Sequence, residues 1–305
     1  CKKSLKSGSM IVGENCIKNI SKMNSIILNE CSLYPADNVV LRGIKTFNGQ
    51  RIDEAILSAA AVVCAIDGPL CRVFDKIILG KRTILTKASD IEYQDNLGAV
   101  GWVNGQRILV GNRDLLKKYR ISPPSRDYEK KYRNNNRELT YFAVGKRLVA
   151  MFILEYIPNL KFLNYLKLLE KNNIKLLIRN VDCNISKYKI SLDFNISEEI
   201  VEILPFEENL NSRLIENKIY SRTFASIASF GNIKSLIKSL CLCRNANIKI
   251  NMSIFFQVVC ILLSLSITCI LFPYFGLNQL KEAELILYNV LWTFISLIIP
   301  KLKKI

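Results

Sequence analysis

The sequence predicts an α/β protein with a β-rich middle section, followed by a hairpin of two membrane-spanning helices. Three observations predict it. Apolar runs of strand length alternate with amphipathic helical patterns, which argues a layered α/β sheet. Asn104-Gly105 stands between two alternating apolar runs, the strongest short hairpin signal a sequence offers. From Ile250 to Leu280 there is no charged side chain at all.

The elements follow in order. Residues 1–22 are polar and basic with apolar positions at Leu5, Met10, Ile11, Ile17 and Ile20, a pattern for a helix and a connector. Ser25 to Leu28 reads as a strand, and the polar stretch Asn29 to Asn38, with Pro35, as the turn after it. Ile52 to Ile66 places Ala55, Ile56, Ala59, Ala60 and Val63 on one helical face; Gly68-Pro69 stops that helix, and Leu70 to Leu79 starts another. The hairpin runs from Gly98 to Gly111, and Asn112 to Tyr119 is helical. After a charged, proline-containing linker (Ser122 to Arg137), Leu139 to Val144 and Leu148 to Leu154 form a second hairpin around Gly145-Lys146. Leu160 to Lys171 is an amphipathic helix and Ile174 to Ile178 a buried strand. Ser197 to Pro205 and the helical Ile233 to Leu242 lead to the uncharged run.

Within that run, Ile254 to Phe275 is long enough as a helix to cross a hydrocarbon core of ~30 Å. A charge at its centre would cost about 2.5–3.5 kcal/mol on insertion, so the absence of charge is what a spanning segment requires. Leu285 to Pro300 is a second, shorter uncharged run. Lys249 precedes the first helix and Lys301, Lys303 and Lys304 follow the second, which puts both ends and the large preceding domain on the cytoplasmic side of the cell membrane. The alternative is a buried helical pair in a soluble protein, but soluble cores rarely sustain so long an uncharged stretch. Asn278, Glu282, Glu284 and Asn289 are the polar residues near the spans, the two glutamates fitting the outer interface better than the midplane.

The formal charge is +17. The basic residues are spread along the chain rather than gathered into one stripe, so nucleic acid is not the expected partner; membrane lipid is. Ten cysteines follow no disulfide spacing, and a cytoplasmic domain would keep them reduced. Cys241 and Cys243 form the one close pair, and with no histidine anywhere the spacing assigns no metal ligands. Cys260 and Cys269 fall inside the first span, where a soft-metal path competes with simple packing.

The order of segments resembles the second half of a P-type ATPase, closest to the heavy-metal-transporting branch. The best match is Gly98 to Leu116, where Gly98, Gly101, Gly105, Gly111 and Asn112 fall in place of a segment that lies near the adenine of ATP. Glycines there let backbone approach a flat base. Asn96 departs from the pattern. The resemblance implies a haloacid-dehalogenase-like Rossmannoid phosphorylation domain with an inserted α+β nucleotide-binding domain, then a transmembrane helical hairpin. On that frame residues 1–50 hold a stalk helix and the first part of the phosphorylation domain, 51–155 the insert, 156–249 the second part and 250–305 the hairpin. Gly98, Gly101, Gly111 and Asn112 become the nucleotide-binding candidates, and ATP the implied cofactor.

The catalytic motifs are degenerate. Asn29 stands where the family has its phosphorylated aspartate, and Glu30 where a lysine follows. An amide cannot attack phosphorus to form an acyl phosphate. Gly68 replaces the histidine before Pro69. Of the Thr-Gly-Asp strand end only Asp182 survives, and Glu208 replaces the phosphate-contacting lysine after Pro205. The magnesium-binding segment expected within Asn209 to Ser229 is not recognisable. Phosphoryl transfer needs cations to neutralise developing charge, and these substitutions remove them. The expectation is a diverged relative that forms no aspartyl phosphate. The alternatives are a membrane-anchored nucleotide-binding regulatory module, or part of an active metal-cation pump. The chain begins at Cys1 rather than Met, so a preceding N-terminal half, or another membrane protein, is an expected partner.

Overall fold

The computed structural model describes residues 5–6, 8–47, 49, 51–66, 68–134, 136–206, 227–229, 233–275 and 282–302. In chain order its elements are β1 (Ser9–Ile11), α1 (Glu14–Ser21), β2 (Ser25–Asn29), α2 (Glu30–Leu33), β3 (Val39–Thr46), α3 (Ile52–Ile66), α4 (Pro69–Ile77), β4 (Ser89–Gln94), β5 (Gly98–Val103), β6 (Gln106–Gly111), α5 (Arg113–Lys118), α6 (Arg126–Lys130), β7 (Arg137–Val144), β8 (Arg147–Tyr156), α7 (Leu163–Lys171), β9 (Lys175–Arg179), α8 (Lys187–Phe194), β10 (Val201–Leu204), β11 (Ile227–Ser229), α9 (Ile233–Phe275) and α10 (Glu282–Leu302). Two compact units divide the chain: residues 24–223, and residues 1–23 with 224–305.

The larger unit holds two sheets. The smaller sheet is parallel, in the order β10-β9-β2, with Leu28 beside Ile178 and Asn29 beside Arg179. Parallel strands need crossover connections, and the central strand β9 is the most buried of the three. Leu176 and Ile178 of β9 are fully buried, each worth roughly 1.5–3 kcal/mol of burial.

The larger sheet is antiparallel and has six strands in the order β3-β8-β7-β6-β5-β4. Its hairpins follow from local chemistry. Asn104 (φ 51°) and Gly105 (φ 72°) supply the two left-handed residues that the tight β5–β6 turn demands. Alternation then sorts side chains onto two faces. Val100 and Leu109, directly opposed, join Leu115, Leu116, Leu139, Tyr141 and Met151 in a core under α5 and α6. On the other face α3 and α4 pack, with the Phe74 ring of α4 edge-on to Phe152 of β8 at 5.2 Å.

A buried polar network joins the two sheets. The Tyr156 hydroxyl of β8 donates to Asp182 (2.6 Å), and the Asn184 amide donates to Tyr156 (3.0 Å) and to Thr140 of β7 (2.7 Å). Lys189 of α8, also buried, lies 3.6 Å from Asp193 and 3.9 Å from Glu138. The Tyr34 hydroxyl donates to Asp193 at 2.6 Å.

In the other unit β1 pairs antiparallel with β11, and α1 packs along α9. Buried Cys16 and Ile20 of α1 belong to the same unit as buried Ile237, Leu240, Cys241 and Cys243 of α9. The strand β1 falls where the sequence pattern favoured helix and connector. At 43 residues α9 is about 65 Å long. It is the one helix among the described residues long and apolar enough to cross a membrane, and none of its most apolar 18-residue stretch is buried. The apolar part of α10, Ala283–Ile298, is shorter. The two run antiparallel, with Ser253 bonded to the Ser296 carbonyl (3.2 Å) and Tyr288 to the Cys260 carbonyl (3.1 Å).

Candidate functional site

Because β2, β9 and β10 are parallel, their carboxyl ends share one edge, the edge where open α/β sheets bind ligands. Asn29 ends β2 there. It is exposed, and its backbone turns directly into α2. Glu30, the first residue of that helix, is buried. Beyond β9 comes Asn180 to Asn184. Asn180 folds this loop on itself, donating to the carbonyls of Asp182 (2.7 Å) and Ile185 (3.0 Å) and accepting from the Asp182 N–H (3.0 Å).

Asp182, the surviving acid of the resemblance, is 0% exposed. One carboxylate oxygen accepts from Tyr156 and the other from the Asn184 N–H at 3.0 Å. Burial pushes its carboxyl up to about 6, against the hydrogen bond from Tyr156, which favours the anion. Its oxygens are committed to the fold. Glu208 lies outside the described residues.

Three of the four nucleotide candidates, Gly98, Gly111 and Asn112, come together at one pinch. Gly98 opens β5 and Gly111 closes β6, directly opposed. A Cβ on Gly98 (φ 137°) would sit 2.3 Å from the Val110 carbonyl oxygen, and one on Gly111 2.2 Å from the Leu97 carbonyl oxygen. Both glycines are therefore demanded by the protein's own backbone. Asn112 caps α5: its side-chain oxygen accepts from the N–H groups of Asp114 (3.0 Å) and Leu115 (3.1 Å), and its amide donates to the Asn96 carbonyl (2.6 Å). Gly101 lies further along β5, where a Cβ would meet Ile91 and Val62 at 3.3 Å.

The β9 loop then closes over this pinch. A Cβ on Gly68 would lie 2.5 Å from a methyl of Val181 and 4.0 Å from a carboxylate oxygen of Glu30. Gly68, Gly98, Val110, Val181 and Cys183 line one cavity with a volume of about 20 Å³, which is room for about one water molecule. Tyr93 also lines it, and its buried hydroxyl has no hydrogen-bond partner among the described residues. Burial pushes the Cys183 thiol well up, partly offset by a hydrogen bond with the Asn112 backbone. The cavity at this pinch does not fit a magnesium nucleotide in this arrangement: it holds about one water, and Asp182 beside it is enclosed. Tyr156 and Cys183 are the contributors that sequence reasoning missed, because neither belongs to a motif; Val181 stands at the glycine of the Thr-Gly-Asp strand end, but its contact with Gly68 shows only in the fold.

No family model matches the chain. Over 208 residues, 68% of the chain, it is 20% identical to the copper-exporting P-type ATPase of Legionella pneumophila subsp. pneumophila, and it spans only 28% of that protein's length. Among solved structures it is similar to a zinc-transporting PIB-type ATPase in its E2.Pi state, at 13% identity and a TM-score of 0.38 over 96% of this chain and 52% of that one. It is also similar to the catalytic domain of the CPx-ATPase CopB-B, at 19% identity and a TM-score of 0.39 over 71% and 76% of the two chains. In fold this is a mixed α/β protein with a long apolar helix near its C-terminal end. It resembles the P-type ATPases of the copper- and zinc-transporting branch.

Proposed function

We propose that this chain is a diverged relative of the cation-transporting P-type ATPases that keeps the scaffold and forms no aspartyl phosphate. The observation that carries this reading is the carboxyl edge of the parallel sheet. Asn29 ends β2 at that edge, an amide at the position where the resemblance expects a carboxylate nucleophile. An amide supplies no nucleophile for an acyl phosphate. On this reading the chain is a multi-pass membrane protein held in lipid by α9 and α10, with residues 24–223 in the cytoplasm.

A second reading is a membrane-anchored module that binds ATP without hydrolysing it. It draws on the β5–β6 hairpin and the Asn112 cap, which stay folded although the catalytic motifs are lost. Binding then requires the Val181–Cys183 loop to withdraw from the glycine pinch. Full-length protein in lipid vesicles, given ATP with Cu⁺ or Zn²⁺, tests the first reading: we expect no metal-stimulated hydrolysis, and stimulation would overturn it. Calorimetric titration with ATP separates the second reading from the first.

A further inference from the structure

Outside the carboxyl edge, the turn between α3 and α4 gathers a different chemistry. Cys64 lies in the last turn of α3, the chain reverses near Gly68, and Cys71 falls in the first turn of α4 with Asp75 one turn further on the same face. One ligand atom from each lies within 4.8 Å of the others. The geometry points to a site for a thiophilic d¹⁰ cation, Zn²⁺ first, held by the Cys64 and Cys71 sulfurs and one Asp75 oxygen.

Three observations carry this. First, the separations are already near those of a filled site. Cys71 Sγ is 3.6 Å from Asp75 Oδ2, and Cys64 Sγ is 4.0 Å from Asp75 Oδ1. Tetrahedral Zn²⁺ with Zn–S near 2.3 Å and Zn–O near 2.1 Å has ligand edges of about 3.5–3.8 Å. The two distances run to different oxygens of Asp75, and all three ligand atoms lie within 4.8 Å of one another, so side-chain rotations of up to about one ångström close the difference.

Second, the cluster already attracts a positive charge. The Arg82 guanidinium pairs with both oxygens of Asp75 (Nε to Oδ1, 2.8 Å) and reaches the Cys71 sulfur at 3.2 Å. Its side chain is 55% exposed, so it can swing toward solvent and keep one oxygen of Asp75 as an outer partner. Two thiolates, one carboxylate, Zn²⁺ and that guanidinium then sum to zero charge.

Third, the site is supported on one side and open on the other. Cys71 is fully buried, while Cys64 and Asp75 are partly exposed, so once Arg82 swings away solvent can supply a fourth ligand. Two sulfur donors select against Mg²⁺ and Ca²⁺ and for Zn²⁺ or Cu⁺. A metal here would staple α3 to α4 on either side of Gly68. The inference does not depend on the ATPase-like reading.

The test uses full-length protein in detergent, stripped with chelator under reducing conditions and titrated with Cd²⁺ while the thiolate-to-metal charge-transfer absorption is followed, then with Zn²⁺ in competition. Because losing an outer-shell partner alone costs about 10–100-fold in affinity, Cys64→Ser or Cys71→Ser should weaken one binding equivalent by at least that much. Asp75→Asn should weaken it while keeping the absorption, and Cys269→Ser should leave it unchanged. Should a variant fail to fold, wild-type protein suffices: Zn²⁺ should slow alkylation of Cys64, mapped by mass spectrometry. Equal binding by wild type and the Cys64→Ser/Cys71→Ser double variant, or Cys64 alkylation indifferent to Zn²⁺, would overturn the assignment.

Discussion

The Tyr156 hydroxyl donates to Asp182 at 2.6 Å, and with both groups buried that bond ties the antiparallel sheet to the loop leaving the parallel one. It changes how the surviving acid is read. The carboxylate that survives from the Thr-Gly-Asp pattern is a bracket between two layers. Tyr156→Phe removes the donor while leaving the ring in place. A buried acceptor left without its partner costs about 1–3 kcal/mol, so urea unfolding of the variant should show a stability loss of that size. A loss below about 0.5 kcal/mol would mean that the hydroxyl and carboxylate do not meet.

The same burial sets a pH dependence. Asp182 titrates near 6 in the fold, above its ordinary carboxylate value, so the folded state binds the extra proton between about pH 4 and 6. Stability from this group is fully present below the unfolded value and is lost as pH rises through about 6. The effect is up to about 3 kcal/mol at 1.36 kcal/mol per unit. Unfolding midpoints measured from pH 4 to 7 should fall in the wild type, and Asp182→Asn should flatten that slope. A wild-type midpoint that rises over this window contradicts the burial.

The glycine pinch predicts a ranking. Alanine at Gly98 or Gly111 drives a Cβ into a carbonyl oxygen at 2.3 or 2.2 Å, whereas at Gly101 it meets side-chain carbons at 3.3 Å. Overpacking against backbone should cost at least about 2 kcal/mol, and the side-chain contacts about 1 or less. Denaturant unfolding of the three variants checks the order. If Gly111→Ala is as stable as the wild type, that glycine is not there for strand packing.

Membrane residence predicts a sharp position effect. Ile261 is 65% exposed in the most apolar part of α9, so Ile261→Lys should cost about 2.5–3.5 kcal/mol of insertion. The carbonate-resistant membrane fraction should fall accordingly. A lysine tolerated there would point to a helix covered by protein.

Much of this architecture was legible before any coordinates. The Asn104-Gly105 hairpin, α3 with its Ala-rich face and the Ser25 and Ile174 strands announce themselves through turn chemistry and periodicity, which act within a dozen residues. The strand β3 was not read, because Gly43 and a register shift between Leu41 and Gly43 break its alternation and its partner β8 is over a hundred residues away. The site was legible in type and not in setting. Gly98, Gly111 and Asn112 do converge, yet only the fold shows them pressed against one another, with Val181 lining the same cavity as Gly98. Cys64, Cys71 and Asp75 were invisible for a related reason: a seven-residue spacing means nothing until a helix turn folds it back.

The most direct measurement is phosphorylation itself. Native full-length chain in lipid, incubated with labelled ATP and quenched in acid, should carry no acid-stable label, because Asn29 offers no carboxylate. A stable phosphoenzyme mapping to any carboxylate of residues 24–223 would contradict the account.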